Sequence, residues 1–465
     1  MKIYLPYMFW LCVYFVFFSF LGQAQVISLR GAVQTALRNY PSIKEKNNLL
    51  QSSNAGIREA RNEALPDIVF SAQQDFGTVN GQNGPANAIY GYSLISGGPV
   101  GAHQNWNAGF GGLYLANVNW DFFAFGKARE RIKVSEKIHE RAASDKGQEE
   151  FQLQIRVSAA YLNLLTAQYL VNVEEANLVR TETLKTVVLG RAIHGLTAGV
   201  DSSQAEAEVA SAKIALLRAQ DVTDEQASRL AVLLGVPSQK GFMLDSVFMN
   251  LLPVRYGDSA LIGDKHPVLQ FYRSRVVAND EAVKYTQTFK YPTFSLFGVN
   301  QTRASDFGSS YNGSKNSYST NYWDGVWPSR TNYLVGIGVS WNFSSLFRFE
   351  QQARSQTFQS KALQNEYDLA KQELLAQQQL ASAKMANALA SLRETPAQIK
   401  AANDSYRQRS QLYKIGLSNI TDVTQALYDL NRAETDQAIS HINVWQALLL
   451  KAAAQGDLSI FMNQF

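Results

Sequence analysis

The chain has 465 residues, of which 46% are hydrophobic and 18% are charged, and its formal net charge is +4. A chain of this length has enough residues for two or three globular domains. The small net charge argues against a nucleic-acid partner. Cys12 is the only cysteine, which excludes a disulfide framework.

The N-terminus predicts export from the cytoplasm. Lys2 precedes an apolar run from Met8 to Leu21, and small residues follow it up to Ala24. This pattern is typical of a secretory signal peptide over residues 1–24, with a membrane anchor as the alternative. Because Gln25 stands where a lipoprotein needs a cysteine, we expect no lipid anchor. No later run of 18 apolar residues predicts a transmembrane helix.

The next segments predict a helix, two strands and a very long helix. Residues 28–64 have a helical pattern that breaks near Pro41. Strands are predicted at about 66–76 and 109–122, on either side of a loop rich in Gly and Asn. From about Lys127 to His194 no proline occurs, which predicts a helix on the order of 100 Å long.

The long helix ends in a bend, residues 195–201, that predicts a helical hairpin. Gly195 is suited to stop a helix in the left-handed conformation. Asp201 is followed three residues later by glutamine, which matches a capping box and predicts that the return helix begins there. The first half of the mature chain, residues 25–237, ends after this helix. Residues 238–265 form a linker or equatorial segment that we expect to lie against the outside of the helices.

Residues 266–465 repeat the same plan. The predicted elements are strands at about 292–301 and 332–343, a long helix at 347–415 interrupted only at Pro396, and a bend at 416–422. In the last strand, bulky apolar residues alternate with glycine and polar residues, which is typical of a barrel strand between lipid and water. An ordinary half-buried antiparallel sheet over a core is the alternative. The segment 302–331 is rich in Ser, Asn, Tyr and Gly, and we expect a solvated loop.

The two halves share matching positions at a fixed spacing. Gly416-Leu417 lies 221 positions after Gly195-Leu196, and Trp341-Asn-Phe343 lies 221 positions after Trp120-Asp-Phe122. A repeat of this length indicates a duplication rather than a solenoid of short units.

Four strands from one chain cannot close into a barrel, and an open sheet edge in lipid leaves backbone groups unpaired. Closure therefore requires several chains. Three chains supply twelve strands and twelve helical staves, which predicts a trimeric 12-stranded β-barrel with an open pore, continuous with a 12-helix α-barrel. The predicted fold class is mainly α with a membrane β-barrel portion.

With these features the sequence resembles the TolC-like outer-membrane efflux protein family. The two bends at the same phase of the duplication and the paired Trp-Asp-Phe and Trp-Asn-Phe strand ends carry the resemblance, which covers essentially the whole mature chain. It implies a homotrimer in the outer membrane of a Gram-negative bacterium, with a tunnel in the periplasm. It also implies two partners, a periplasmic adaptor and an inner-membrane pump of the RND or ABC type. The chain would then be a passive exit duct, without cofactor or enzymatic activity.

The resemblance also implies a periplasmic gate at the bends. Asp422 falls on the acidic constriction of the family, and a threefold ring of aspartates, to which Asp201 is a second candidate, would bind cations. Tyr413 matches the gating tyrosine, whereas Gln425 and Ser418 replace an aspartate and an arginine of the best-known member. We therefore expect a lock formed by Tyr413 and polar groups such as Asp201. Helix capping is the simpler role of both aspartates.

Two further sets of residues are candidates for contacts with partners. The adaptor-docking tips comprise Gly195, Leu196, Gly416 and Leu417, for which helix termination is the simpler role. The membrane-interface aromatics comprise Trp120, Phe122, Trp341 and Phe343, for which burial at the joint between strands and helices is the alternative. The histidines are scattered and no phosphate-binding loop follows a strand, so no metal site or nucleotide hydrolysis is predicted.

A periplasmic coiled-coil adaptor or scaffold without a pore is the competing function. Adaptors have one helical hairpin flanked by small β-domains, whereas this chain has two hairpins and strands that end in aromatic residues. Export of drugs, metals or proteins differs in the partner proteins, and no motif of this chain favours one of these cargoes.

Overall fold

The computed structural model describes residues 26–81, 100, 102–237, 242–254, 263 and 265–464. The predicted signal peptide lies outside the described residues, as do most of the loop between the first two strands and part of the linker. The described chain divides into two compact units. One unit contains the residues up to Gln51, Glu140–Val276 and Ala362–Phe465, and the other contains Ser52–His139 and Val277–Lys361.

Helices make up most of the described chain. They are, in order, α1 (Leu29–Asn39), α2 (Pro41–Asn62), α3 (Lys127–Ile193), α4 (Gly199–Leu234), α5 (Val247–Asn250), α6 (Pro267–Thr288), α7 (Tyr322–Val326), α8 (Ser345–Lys414), α9 (Ile420–Gln455) and α10 (Ser459–Met462). Two helices have the extreme length that the sequence predicts, α3 with 67 residues and α8 with 70. None of the described helices is both long and apolar enough to span a bilayer.

Pro396 lies inside α8 and does not interrupt it, contrary to the prediction from sequence. Proline lacks the N–H that would bond the carbonyl four residues earlier, which here is Leu392. The Thr395 hydroxyl donates a hydrogen bond of 2.9 Å to that carbonyl. The neighbouring side chain thus satisfies the carbonyl that the proline leaves without a backbone donor.

An aromatic cluster packs part of the linker, residues 242–254, against helices of the first unit. Phe248 of α5 is buried, with its ring centroid 4.9 Å from that of Trp445. The Trp445 indole donates a hydrogen bond to the Leu251 carbonyl. The Asp245 backbone N–H donates to the Tyr161 hydroxyl, and burial raises the pKa of Tyr161 to about 12.

The second unit contains a four-stranded antiparallel sheet in the order β1-β2-β3-β4. Its strands are β1 (Asp67–Thr78), β2 (Ala108–Phe123), β3 (Thr293–Ser305) and β4 (Arg330–Ser340). β4 ends three residues earlier than predicted, so Trp341 and Phe343 follow the strand, whereas Trp120 and Phe122 lie within β2. Among the described strands, β1 and β4 pair on one side only, which leaves both edges of the sheet open.

The register of the strands separates an apolar face from a polar face. On the apolar face of β4, four side chains are 61–84% exposed, namely Tyr333, Val335, Ile337 and Val339. On the polar face, Asp67 of β1 lies opposite Asn119 of β2, and Gln301 of β3 lies opposite Asn332 of β4. Because the apolar side chains are exposed, this sheet is not the half-buried sheet over a core that was the alternative.

The segment between β3 and β4 is folded, which corrects the prediction of a solvated loop over 302–331. Its first and last residues belong to the two strands, and the remainder, residues 306–329, contains α7. We call residues 306–329 the flap. Gly325 and Val326 of α7 are buried, because the flap folds back onto the start of β2 and the end of β3.

Candidate gate at the helical bends

Both bends turn at a glycine in the left-handed region, as the sequence predicts. Gly195 has φ +69° and Gly416 has φ +83°. The return helices begin two residues before the predicted aspartates, with Ala198 and Asn419 as N-caps. The prediction that Asp201 and Asp422 are themselves N-caps is therefore wrong.

The two aspartates occupy the third position of their helices and make matching contacts. Asp201 accepts a hydrogen bond from the Thr197 hydroxyl, and Asp422 accepts one of 3.1 Å from the Ser418 hydroxyl. A carboxylate in the first turn also interacts favourably with the helix dipole. The Asn419 side chain accepts the Asp422 backbone N–H at 2.8 Å. Each bend is thus closed by a short polar contact between its loop and its return helix.

The second bend also carries an ion pair that sequence reasoning did not identify. The Arg409 guanidinium lies 3.2 Å from the Asp422 carboxylate, and both side chains are a little under half exposed. In the first bend the position equivalent to Arg409 is Val188, which is buried. The acidic charge expected at Asp422 is therefore balanced by a neighbouring cation, whereas Asp201 has no equivalent arginine.

Arg191 connects the first bend to the second. Its guanidinium donates hydrogen bonds to the carbonyls of Tyr413 and Lys414, at 2.7 and 2.8 Å, and to the Leu196 carbonyl at 3.3 Å. The guanidinium also lies 5.0 Å from the centre of the Tyr413 ring. The last carbonyls of a helix have no intrahelical partner, and here an arginine of another helix satisfies two of them.

Tyr413 lies in a small apolar core at the bends. Its ring is 2% exposed and packs with Leu184, Val188, Ala205, Ile420 and Val423. Its hydroxyl is buried and has no hydrogen-bond partner among the described residues. Since Asp201 bonds with Thr197 instead, the expected contact between Tyr413 and Asp201 is not formed within one chain. Gln425 bonds with Asp429 of its own helix.

The tips of both bends expose apolar side chains. Leu196 is 65% exposed and Leu417 is 73% exposed. Ile193, Val200 and Ile415 beside them are also more than two-thirds exposed. Helix termination alone requires the glycines but not this exposed apolar group, so the tips have the composition of a binding surface.

The aromatic pairs at the strand ends have equivalent contacts in the two halves. The Trp120 indole donates a hydrogen bond to the Ala64 carbonyl at 3.0 Å, and Trp341 donates one to Lys290 at 3.1 Å. Trp120 is 37% exposed and Trp341 is 55% exposed. Phe122 and Phe343 beside them are exposed as well. Each indole thus bonds the chain just before a strand and leaves part of its ring free.

The comparisons with known proteins agree with this fold. A family model described as outer membrane efflux protein matches residues 32–236 and 264–448. No curated protein matches the chain. The outer membrane protein VceC of Vibrio cholerae is 18% identical, with a TM-score of 0.72 over 92% of this chain and 96% of VceC.

Two other solved channels give similar values. The CmeC outer membrane channel of Campylobacter jejuni has a TM-score of 0.73 at 15% identity, over 92% of this chain and 85% of CmeC. The MtrE outer membrane channel of Neisseria gonorrhoeae, in its open state, has a TM-score of 0.71 at 16% identity, over 92% of this chain and 89% of MtrE. These likenesses establish the fold, and the family match covers both repeated halves of the sequence. The chain belongs to the outer membrane efflux protein family.

Proposed function

We propose that three copies of this chain form the passive exit duct of a tripartite efflux or secretion system. The twelve strands of the trimer close into a barrel in the outer membrane, and its helices form a 12-helix tunnel in the periplasm. A periplasmic adaptor grips the bends, and an inner-membrane pump of the RND or ABC type supplies the energy. The chain itself catalyses no reaction.

The observation that carries this proposal is the four-stranded sheet of the second unit. Its apolar face is exposed, its polar face carries asparagine, glutamine and glycine, and both of its edges are open. Unpaired backbone groups are not tolerated in hydrocarbon. Pairing β4 of one copy with β1 of the next removes the open edges, directs the apolar face to lipid and directs the polar face to a water-filled lumen. An adaptor without a pore has no use for such a sheet, and family membership gives that alternative no support.

We infer that the bends form the periplasmic entrance, with Asp422 and Arg409 as its charged groups. Three copies of one ion pair around a narrow axis give a ring whose field depends on the balance of the two charges. Asp422 and Asp201 then attract cations, whereas Arg409 reduces the effect of Asp422. Tyr413, packed beneath Arg191, supplies the apolar support of the closed bend.

The experiment compares Asp422→Asn and Arg409→Gln trimers in planar bilayers under a KCl gradient. Asparagine keeps an acceptor oxygen for the Ser418 hydroxyl, so the substitution removes the charge and preserves the bend. We expect Asp422→Asn to lower cation selectivity and block by divalent cations, and Arg409→Gln to raise both. Shifts in opposite directions distinguish a charge effect from a general loosening of the bend.

Asp436→Asn is the matched control, because Asp436 is a partly exposed acid of the same helix with its own arginine neighbour, Arg432. It should leave selectivity unchanged. Equal selectivity and equal block in all four proteins would remove Asp422 and Arg409 from the conduction path. Failure of the purified protein to conduct at all would contradict the duct itself.

A further inference from the structure

We propose that the flap is a lipid anchor, in which Trp323 and Trp327 bind the boundary between head groups and acyl chains in the outer leaflet. The flap would thereby set the depth of the barrel in the membrane. The inference rests on the outer-membrane location of the family and on the sheet, and it is independent of the gate.

Hydrogen bonds place the flap on the apolar face of the sheet. The Tyr114 hydroxyl donates to the Val326 carbonyl at 2.8 Å, and the Tyr322 hydroxyl donates to Gln74 at 2.7 Å. Gln74 pairs with Gly112, which lies on the same face of β2 as Tyr114 and Val118. Val118 pairs with Gly298 of β3, and Gly298 pairs with Val335 of β4. Gln74 and Tyr114 therefore belong to the same face of the sheet as Val335. The flap therefore covers the outer end of the surface that otherwise faces lipid.

Close backbone packing shows that the flap is a built element. The Asp306 carboxylate accepts the Phe110 backbone N–H at 2.6 Å. A Cβ atom at Gly325 would overlap the side chain of Phe110, so only glycine permits this approach of α7 to β2. A Cβ at Gly109 would lie 2.8 Å from the Cβ of Asp306. Gly325 of the flap and Gly109 of β2 thus allow the two backbones to pack closely.

Aromatic rings extend from the sheet to the free surface of the flap. Phe76 contacts Phe110, Phe110 contacts Tyr322, and Tyr322 contacts Trp323, with ring centroids 4.8 to 5.3 Å apart. At the free surface Trp323 is 65% exposed and Trp327 is 70% exposed. The only charged side chain of α7, Asp324, accepts a hydrogen bond from Ser319. Exposed tryptophans, whose rings are apolar and carry one polar N–H, are typical of the membrane interface.

The spacing between the flap and the inner tryptophans matches the thickness of the membrane. Trp120 marks the inner end of β2, and the flap lies over Phe110 and Gly112, eight to ten residues away. This separation is roughly 26–33 Å along the strand. With the usual strand tilt it projects to roughly 20–25 Å, close to the apolar band of outer-membrane barrels. Trp323 and Trp327 thus lie where the second aromatic girdle belongs.

The test uses single cysteines labelled with bimane in the exported chain, which has no other cysteine after Ala24. Labels are placed at Trp323, Trp327, the mid-sheet residue Val335 and the exposed flap residue Asn312. The labelled proteins are reconstituted in phosphatidylcholine vesicles that carry a nitroxide on either the head group or the acyl chain. Iodide serves as the quencher from water.

We expect loss of fluorescence at positions 323 and 327 with the head-group nitroxide, at 335 with the acyl-chain nitroxide, and at 312 with iodide only. Loss to iodide alone at 323 and 327 would overturn the anchor. Protection from every quencher would also overturn it, because a protein neighbour would then cover the flap. Failure of lipid quenching at 335 would instead contradict the barrel, so the two failures are distinguishable.

Discussion

Arg191 joins two helix ends that are 222 residues apart in the chain. The sequence shows only an arginine four positions before a bend glycine, and nothing in that spacing indicates its partners. Its contacts depend on the packing of α3 against the end of α8, which local patterns do not encode. The same holds for Arg409, whose partner Asp422 lies on the next helix.

Replacing Arg191 with glutamine should destabilise the bends. Two carbonyls at the end of α8 lose their charged donor, and hydrogen bonds to charged groups contribute about 1.5–3 kcal/mol. We expect a loss of about 2 kcal/mol in the free energy of unfolding. Thermal unfolding followed by circular dichroism measures the effect.

Lys185→Gln is the matched control, since Lys185 lies on the same helix as Arg191 and forms a partly exposed ion pair with Glu206 of α4. Such a pair contributes less than about 1 kcal/mol. If Arg191→Gln changed the melting midpoint no more than Lys185→Gln, the carbonyl contacts of Arg191 would not stabilise the bends.

The aspartates of the bends show the limit of capping patterns. Asp-x-x-Gln predicts a helix start, and a helix does start at each bend, but two positions before the aspartate. A carboxylate is favourable both at the N-cap and in the first turn. Here the carboxylates lie in the first turn, where the hydroxyls of Thr197 and Ser418, each one residue before an N-cap, donate hydrogen bonds to them.

At the scale of elements, the strands were predictable and the flap was not. Alternation of Tyr333, Val335, Ile337 and Val339 with smaller residues predicts a two-sided strand, and the register confirms it. The flap is rich in serine, glycine and asparagine, which also compose solvated loops. Its fold depends on Gly325, which packs against Phe110 of the strand β2. Because β2 is distant in the sequence, this information is absent from a local window.

Equivalent contacts support our proposal that residues 25–237 and 266–465 are two structural repeats joined by residues 238–265. Gly235 and Gly456 both cap their return helices with positive φ, 221 positions apart. Each packs against the residues before a proline that begins a helix, Asn39 in the first half and His266 in the second. Burial lowers the pKa of His266, whose ring lies against Gly456.

Arg303 and Arg330 lie directly opposite each other on the polar face of β3 and β4. Like charges directly opposite each other cost stability. We therefore expect the two arginines to have a function, which is to attract anions in the water-filled lumen. Replacing Arg330 with glutamine should lower the permeability of chloride relative to potassium. Reversal potentials under a KCl gradient measure this ratio. Arg330→Lys keeps the charge and should behave as the parent, and an equal ratio in all three proteins would place the pair away from the ion path.

At the scale of the whole molecule, assembly should be visible through cysteine cross-links between β1 and β4. The described strands place these two at opposite edges of one sheet, so a disulfide between them requires neighbouring copies. We expect proteins with one cysteine at Gln73 and another at Asn332, Leu334 or Gly336 to give covalent dimers and trimers on mild oxidation. Electrophoresis without reductant measures the products.

Pairs within one sheet provide the control for this experiment. Cysteines at Leu113 and Gln73, which are register partners, should cross-link without forming larger species. Covalent species larger than three chains in every β1–β4 pair would contradict a closed trimer, and products confined to the monomer would contradict pairing between copies.

The hydrogen bonds of Arg191 have a mechanical consequence for any opening of the entrance. Because they fasten both turns of a polypeptide to each other, the two turns must swing together unless these contacts break first. A threefold assembly then has three pairs of coupled bends rather than six bends that move independently. An adaptor that pulls on either bend of one chain would displace both bends of that chain.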